Sequence, residues 1–211
     1  MQNPVRGFLH GTAAVAALAG SIALVLRIPN LGGRIAAAVF GVGMVALYTT
    51  SSLYHSVPWQ DRWKRRMKRL DHSMIFVLIA GTYTPISWIV LDGWPRGATL
   101  SIVWSIALVG IGQQTFFPRD QSSFAIALMT TLGWLAVFIM IPFFRRAGAG
   151  AAALMALGGV LYTVGMVFLV TNRPRLWPRV FSYHELFHVM VVAATSLHFV
   201  ATWRYVVPLA T

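Results

Sequence analysis

The sequence predicts an all-α, polytopic membrane protein: one domain over residues 1–211, built as a bundle of seven transmembrane helices. Two observations carry this. Of the 211 residues, 57% are hydrophobic and only 10% are charged, whereas an ordinary water-facing domain carries about 25% charged residues. Seven stretches are also apolar over the length needed to cross a membrane, about 20 residues at a rise of ~1.5 Å each through ~30 Å of hydrocarbon. Few charges and long apolar runs together specify one compact bundle rather than several soluble domains.

The first helix runs from Phe8 to Leu26, and Pro29-Asn30 and Gly32-Gly33 close it. Ala17-Leu18-Ala19 imitates the small-residue cleavage site of a secretory signal, but the apolar run continues past it, so the segment is read as an uncleaved helix. The second runs from Arg34 to Val57 and stops at Pro58, and the third from Asp71 to Leu91, with Pro85 inside. Asp92-Gly93-Trp94-Pro95 then breaks the pattern before the fourth, from Ala98 to Phe117, which carries Gln113 and Gln114 near its end. Pro118-Arg119-Asp120 precedes the fifth, Ser122 to Phe144, and Arg145-Arg146 separates it from the sixth, Ala149 to Val170. Arg173-Pro174-Arg175 leads to the seventh, His184 to Trp203.

A net charge of +12 in a soluble protein would suggest nucleic acid. Here the charges sit in short inter-helix loops, where cytoplasmic segments of membrane proteins concentrate Lys and Arg, so no nucleic-acid partner is expected. With seven helices, eleven basic residues fall on the N-terminal side, six of them in the run Arg62, Lys64, Arg65, Arg66, Lys68 and Arg69, and Arg119 and Arg179 among the others. Six fall on the opposite side: Arg27, Arg34, Arg96, Arg145, Arg146 and Arg204. The N-terminus is therefore expected in the cytoplasm and the C-terminus outside. The basic run also suits contact with anionic lipid headgroups.

The sequence has no cysteine, which excludes disulfides and thiolate metal sites and leaves His, Asp, Glu and water as ligands. Ionisable residues at or inside a membrane are costly, so their placement carries information. Eight occur within or at the ends of the apolar segments: His10, His55, Asp71, His72, His184, Glu185, His188 and His198. All but His198 collect at the N-terminal face once the helices are counted. His184 and His188 are four apart and share a helix face, and Ser51 shares that of His55 one turn deeper. His55, His184 and His188 would make a three-histidine site with an open fourth position, the arrangement of catalytic zinc. Asp71 suits the role of holding and deprotonating a water there. His10 and His198 read as interfacial hydrogen-bonding residues, and His72, about 100° around the helix from Asp71, as at most a supporting neighbour.

His184-Glu185-Leu186-Phe187-His188 also matches H-E-x-x-H, in which Glu acts as general base of a metalloprotease. No carboxylate follows Glu185, and His198 has the wrong offset, so a third ligand must come from upstream, again His55. Glu185 then remains an alternative base or a helix-start residue favoured by the macrodipole.

Three groups of residues resemble the bacterial hemolysin III family, within the progestin and adipoQ receptor group. They are Ser51-Ser52-Leu53-Tyr54-His55, Leu70-Asp71-His72-Ser73 followed by Ala80-Gly81-Thr82-Tyr83-Thr84-Pro85, and His184-x-x-x-His188 running on to Ser196-Leu197-His198-Phe199. The likeness covers nearly the whole chain. It implies seven helices in a bacterial inner membrane, one zinc ion held by His55, His184 and His188, a water linked to Asp71, and Ser51 close by. It also implies chemistry like that of ceramidases. The expected function is zinc-dependent hydrolysis of a lipid amide or ester, with Asp71 and Ser51 as catalytic residues and membrane lipids as partners. The alternative is a non-enzymatic regulator or receptor with a structural zinc; pore formation and intramembrane proteolysis rank below both.

Overall fold

The structure, a computed structural model, describes residues 4–117, 123–177 and 180–210. These form α1 (Pro4–Arg27), α2 (Leu31–Ser56), α3 (Asp61–Val90), α4 (Gly93–Phe116), α5 (Ser123–Trp134), α6 (Ala136–Thr171) and α7 (Tyr183–Ala201). The last continues through a π turn at Thr202–Val206 and a 3-10 turn at Val207–Leu209. Six runs among the described residues are long and apolar enough to cross a membrane, with residues 123–171 counted as one. The protein is all-helical and multi-pass. The expected break at Pro118-Arg119-Asp120, the expected start at Ser122 and the basic residue Arg179 lie outside the described residues.

Helices α1, α2 and α3 pack side by side through small residues, which let backbones approach where lipid supplies no hydrophobic drive for association. Ser52 Oγ on α2 donates to Gly7 O on α1 at 2.8 Å. A Cβ on Gly43 would lie 3.3 Å from Leu78 Cα, and one on Gly81 would lie 3.3 Å from the Val39 carbonyl, so α2 and α3 touch backbone to backbone. Phe40, Met44, Leu47 and Leu78 fill the core around this contact. Val15, Leu18, Ile22 and Leu26 on α1 face outward as a lipid-facing stripe.

The third helix starts ten residues earlier than the apolar pattern suggests, at Asp61 rather than Asp71. The basic run is helix, not loop. Lys and Arg are good helix formers, and Asp61 in the first turn complements the helix dipole. Hydropathy locates where a helix enters hydrocarbon, not where it begins. The fourth helix likewise begins at Gly93, because Pro95 sits in its first turn, where a missing N–H is harmless.

The expected fifth and sixth helices run together. Residue Leu135, between α5 and α6, keeps helical torsions, and Gly148 interrupts α6 with φ 85° and ψ 171°, a conformation that favours glycine. Before Gly148, Leu132 O accepts from Tyr83 Oη at 2.8 Å, and Arg146 Nη1 donates to Val90 O at 2.9 Å. This part lies against α3. After it, Gly150 meets the Tyr205 ring, Met155 O meets His198 Nε2 at 3.1 Å, and Tyr162 Oη meets Thr195 Oγ1 at 2.5 Å. That part lies against α7 and its continuation.

Two ion clusters tie helix ends. At one end Arg6 on α1 pairs with Glu185 on α7 at 2.7 Å. At the other, Asp92 receives Arg96 at 2.9 Å and Arg146 at 2.5 Å, while Arg27 covers the Trp203 ring at 4.6 Å. Helices α1 and α7 therefore run in the same direction, with both N-termini at the face where the histidines collect.

Candidate metal centre

The last turn of α2 and the first two turns of α7 meet beside the start of α1. The second helix carries His55 two residues before its C-cap Val57. The seventh is started by a capping box: Glu185 Oε2 accepts from Ser182 N at 2.8 Å, and the Ser182 side chain caps the Glu185 backbone. This fixes where α7 begins, and hence where His184 and His188 emerge.

His55, His184 and His188 each offer a ring nitrogen within 4.8 Å of the other two. The rings of His184 and His188 stack in parallel, with centroids 5.0 Å apart and planes 8° apart. His55 stands edge-on to both, at 5.4 and 5.0 Å. Tetrahedral zinc with nitrogens at ~2.0–2.1 Å needs them about 3.4 Å apart, so the three would have to draw together around an ion. His188 Nε2 is buried and has no hydrogen-bond partner, an expensive state for a polar atom inside a membrane. An ion at the centre of the three rings would relieve it. Three imidazoles without a thiolate suit zinc and other borderline divalent metals. The residues present fit such an ion.

His55 and His188 are buried and His184 is partly exposed, so the centre opens on the His184 side. Asp71 and Ser51 are buried at 7% and 1% exposure, with the Ser51 hydroxyl beside the Asp71 carboxyl. Ser51 stands one turn before His55 on α2, and Asp71 of α3 lies beside it, outside the three-histidine group.

Glu185 is committed elsewhere. One carboxylate oxygen accepts from Arg6 Nε and the other from the Ser182 backbone. Its oxygens hold α7 to α1 and start the helix, so Glu185 acts here as the capping-box residue of α7. His198 is remote from the centre, its Nε2 on the Met155 carbonyl. His72 is partly buried and does not join the group of three.

Two features have no counterpart in the reading of the sequence. The His10 ring lies against His188, Nε2 to Nδ1 at 2.9 Å. Deeper in the bundle, Tyr162 and Thr195 share a hydrogen bond, and Tyr48 is buried beside His10. A signal for the second exists: Tyr48 precedes His55 by seven residues and Thr195 follows His188 by seven. Each is two turns along the same helix face.

Comparison with known proteins shows the family. A family model described as "Haemolysin-III related" matches residues 1–199. The chain is 33% identical over 205 residues to "Hemolysin-3" of Bacillus cereus, covering 95% of this chain and 90% of that protein. It is 31% identical over 201 residues to "Hemolysin-3 homolog" of Bacillus subtilis (strain 168), covering 94% and 91%. A more distant likeness, 24% over 204 residues, covers 94% of this chain and 82% of the human "Monocyte to macrophage differentiation factor". With a helical bundle, histidines at one face and a match that runs almost end to end, the chain belongs to the hemolysin III-related family of membrane proteins.

Proposed function

We propose that this chain is an integral membrane zinc protein that hydrolyses a lipid amide or ester, with His55, His184 and His188 holding the ion. The observation that carries the proposal is the convergence of three imidazoles from α2 and α7, one of them presenting a buried nitrogen without a partner. Held by these three histidines, zinc would supply Lewis acidity and acidify a water at neutral pH. The Asp71 carboxylate would orient the attacking water and take its proton, and Ser51 would steady either the site, through Asp71, or the carbonyl oxygen as charge develops on it. The proton passes to the departing amine or alcohol as the C–N or C–O bond breaks. A lipid amide and water thus become a fatty carboxylate and an amine. The partial exposure of His184 at a membrane face supports entry of a lipid headgroup from that side.

The same reading takes residues 123–147 and 149–171 as two crossings, giving seven in all. As one straight helix the 49-residue run would extend about 73 Å, over twice the hydrocarbon thickness, and the Gly148 break supports a reversal there. Seven crossings with the basic α3 start inside put the N-terminus in the cytoplasm and the C-terminus outside a bacterial inner membrane.

The test is fatty-acid release from a panel of N-acyl and ester lipids by purified protein in detergent micelles, read by mass spectrometry. Zinc-loaded protein should release fatty acid, and chelated protein or His188→Ala should not. Folded, zinc-loaded protein that turns over nothing in the panel would contradict the hydrolase and leave the ion as a tie between α2 and α7.

A further inference from the structure

We infer that His10, from a helix that supplies no ligand, is the positioning residue that sets His188 as a metal ligand. The inference rests on the metal reading above. His188 has two ring nitrogens with different surroundings. Its Nδ1 lies 2.9 Å from His10 Nε2, while its Nε2 is buried without a partner. A neutral imidazole carries one proton, and the nitrogen that binds a metal must be the other one. With Nδ1–H donating to His10 Nε2, the His188 lone pair sits on Nε2. The reverse assignment, with His10 Nε2–H donating to His188 Nδ1, would leave the His188 proton on Nε2, the metal side.

The geometry holds the acceptor in place. His10 and His188 are 2% and 3% exposed, their rings meeting edge to face with centroids 4.2 Å apart and planes 69° apart. The Tyr48 ring also packs edge to face against His10, at 5.1 Å and 70°. One turn before His10, Arg6 grips Glu185 of α7 at 2.7 Å. Two contacts a turn apart on α1 thus meet residues three apart on α7, which sets the register of the ligand helix as well as its tautomer. Ligating histidines almost always have such an outer partner, and losing it typically weakens metal affinity ~10–100-fold. Here the partner is an imidazole, not the usual carboxylate or carbonyl. His10 is not a fourth ligand, since its Nε2 is engaged with His188 and it stands outside the group of three.

The experiment is competitive zinc titration of detergent-solubilised full-length protein against a chromophoric chelator, for wild type, His10→Gln and His10→Leu. Glutamine places an acceptor oxygen near the position of Nε2; leucine fills the space without one. The expected result is a loss of about 10–100-fold for His10→Leu and near wild-type affinity for His10→Gln. Equal affinity in wild type and His10→Leu overturns the inference while leaving the metal reading intact, as does a His10→Gln affinity as weak as that of His10→Leu. Wild type that takes up no zinc overturns both. Should His10→Leu not fold, nitrogen-15 spectra of the metal-free wild type decide: the His188 proton is expected on Nδ1, and a proton on Nε2 overturns the inference.

Discussion

Asp71 and Glu185 are both buried carboxylates at the face where the histidines gather, and the two differ in what they are attached to. Asp71 adjoins Ser51, whereas Glu185 has one oxygen on Arg6 and the other on the Ser182 backbone. Their amide variants should therefore separate. Asp71→Asn is expected to keep its zinc and melting temperature near wild type and to lose about 100-fold or more in lipid turnover, the range of general-base removal. Glu185→Gln is expected to keep zinc and turnover and to lose about 1–3 kcal/mol of stability with its charged hydrogen bond. Stability by thermal unfolding and turnover by fatty-acid release read the pair, and exchanged phenotypes would make Glu185 the base. The three histidines were legible because i,i+4 spacing and helix counting both follow from chain geometry. The role of Glu185 was not, since a capping box and H-E-x-x-H place Glu at the same position. Nor was the His10 contact, which depends on how α1 is rotated against α7 and on no spacing within either.

At the scale of helices, close packing rests on small residues at definite heights. Gly158 on α6 faces α7, and a Cβ there would run into the His198 imidazole and come within 3.1 Å of the Ala194 carbonyl. Its neighbour Gly159 has nothing within 4 Å of the same position. Gly158→Ala should then lower stability by about 1–3 kcal/mol through overpacking, while Gly159→Ala should be neutral or slightly stabilising because alanine is the better helix former. Thermal unfolding of the two in the same detergent is the check, and equal shifts would show that α6 and α7 do not meet at this height. Helix order was readable from hydropathy, as Pro29, Pro58 and Asp92 fall between observed helices, although Gly93-Trp94-Pro95 belongs to the first turn of α4. The start of α3 was not, because arginine and lysine leave hydrocarbon without leaving the helix. Residues Ser123–Thr171 look like two segments to hydropathy, yet the backbone parts from helix at Gly148 without a longer loop.

For the whole molecule, the bundle sets up a polar face of histidines and a second, opposite face where Asp92, Arg96 and Arg146 meet. The chain has no cysteine, so single cysteines report topology cleanly. Arg65→Cys at the start of α3 should react with an impermeant maleimide only after the membrane is opened, and Ala149→Cys should react in intact cells. Labelling of both from one side would contradict seven crossings with a cytoplasmic N-terminus. Composition and the positions of seven ionisable groups made the membrane class and the face of the site legible, because burying charge in lipid is so unfavourable that few arrangements survive. The chemistry proposed for that face is not spelled by any spacing, and it would depend first on an ion held by the three histidines. Metal analysis by inductively coupled plasma mass spectrometry on protein purified without chelator, beside His188→Ala, tests this most directly. About one zinc per chain in wild type and little in His188→Ala is the expected result. Metal-free wild type whose melting temperature does not move on adding zinc would contradict the account.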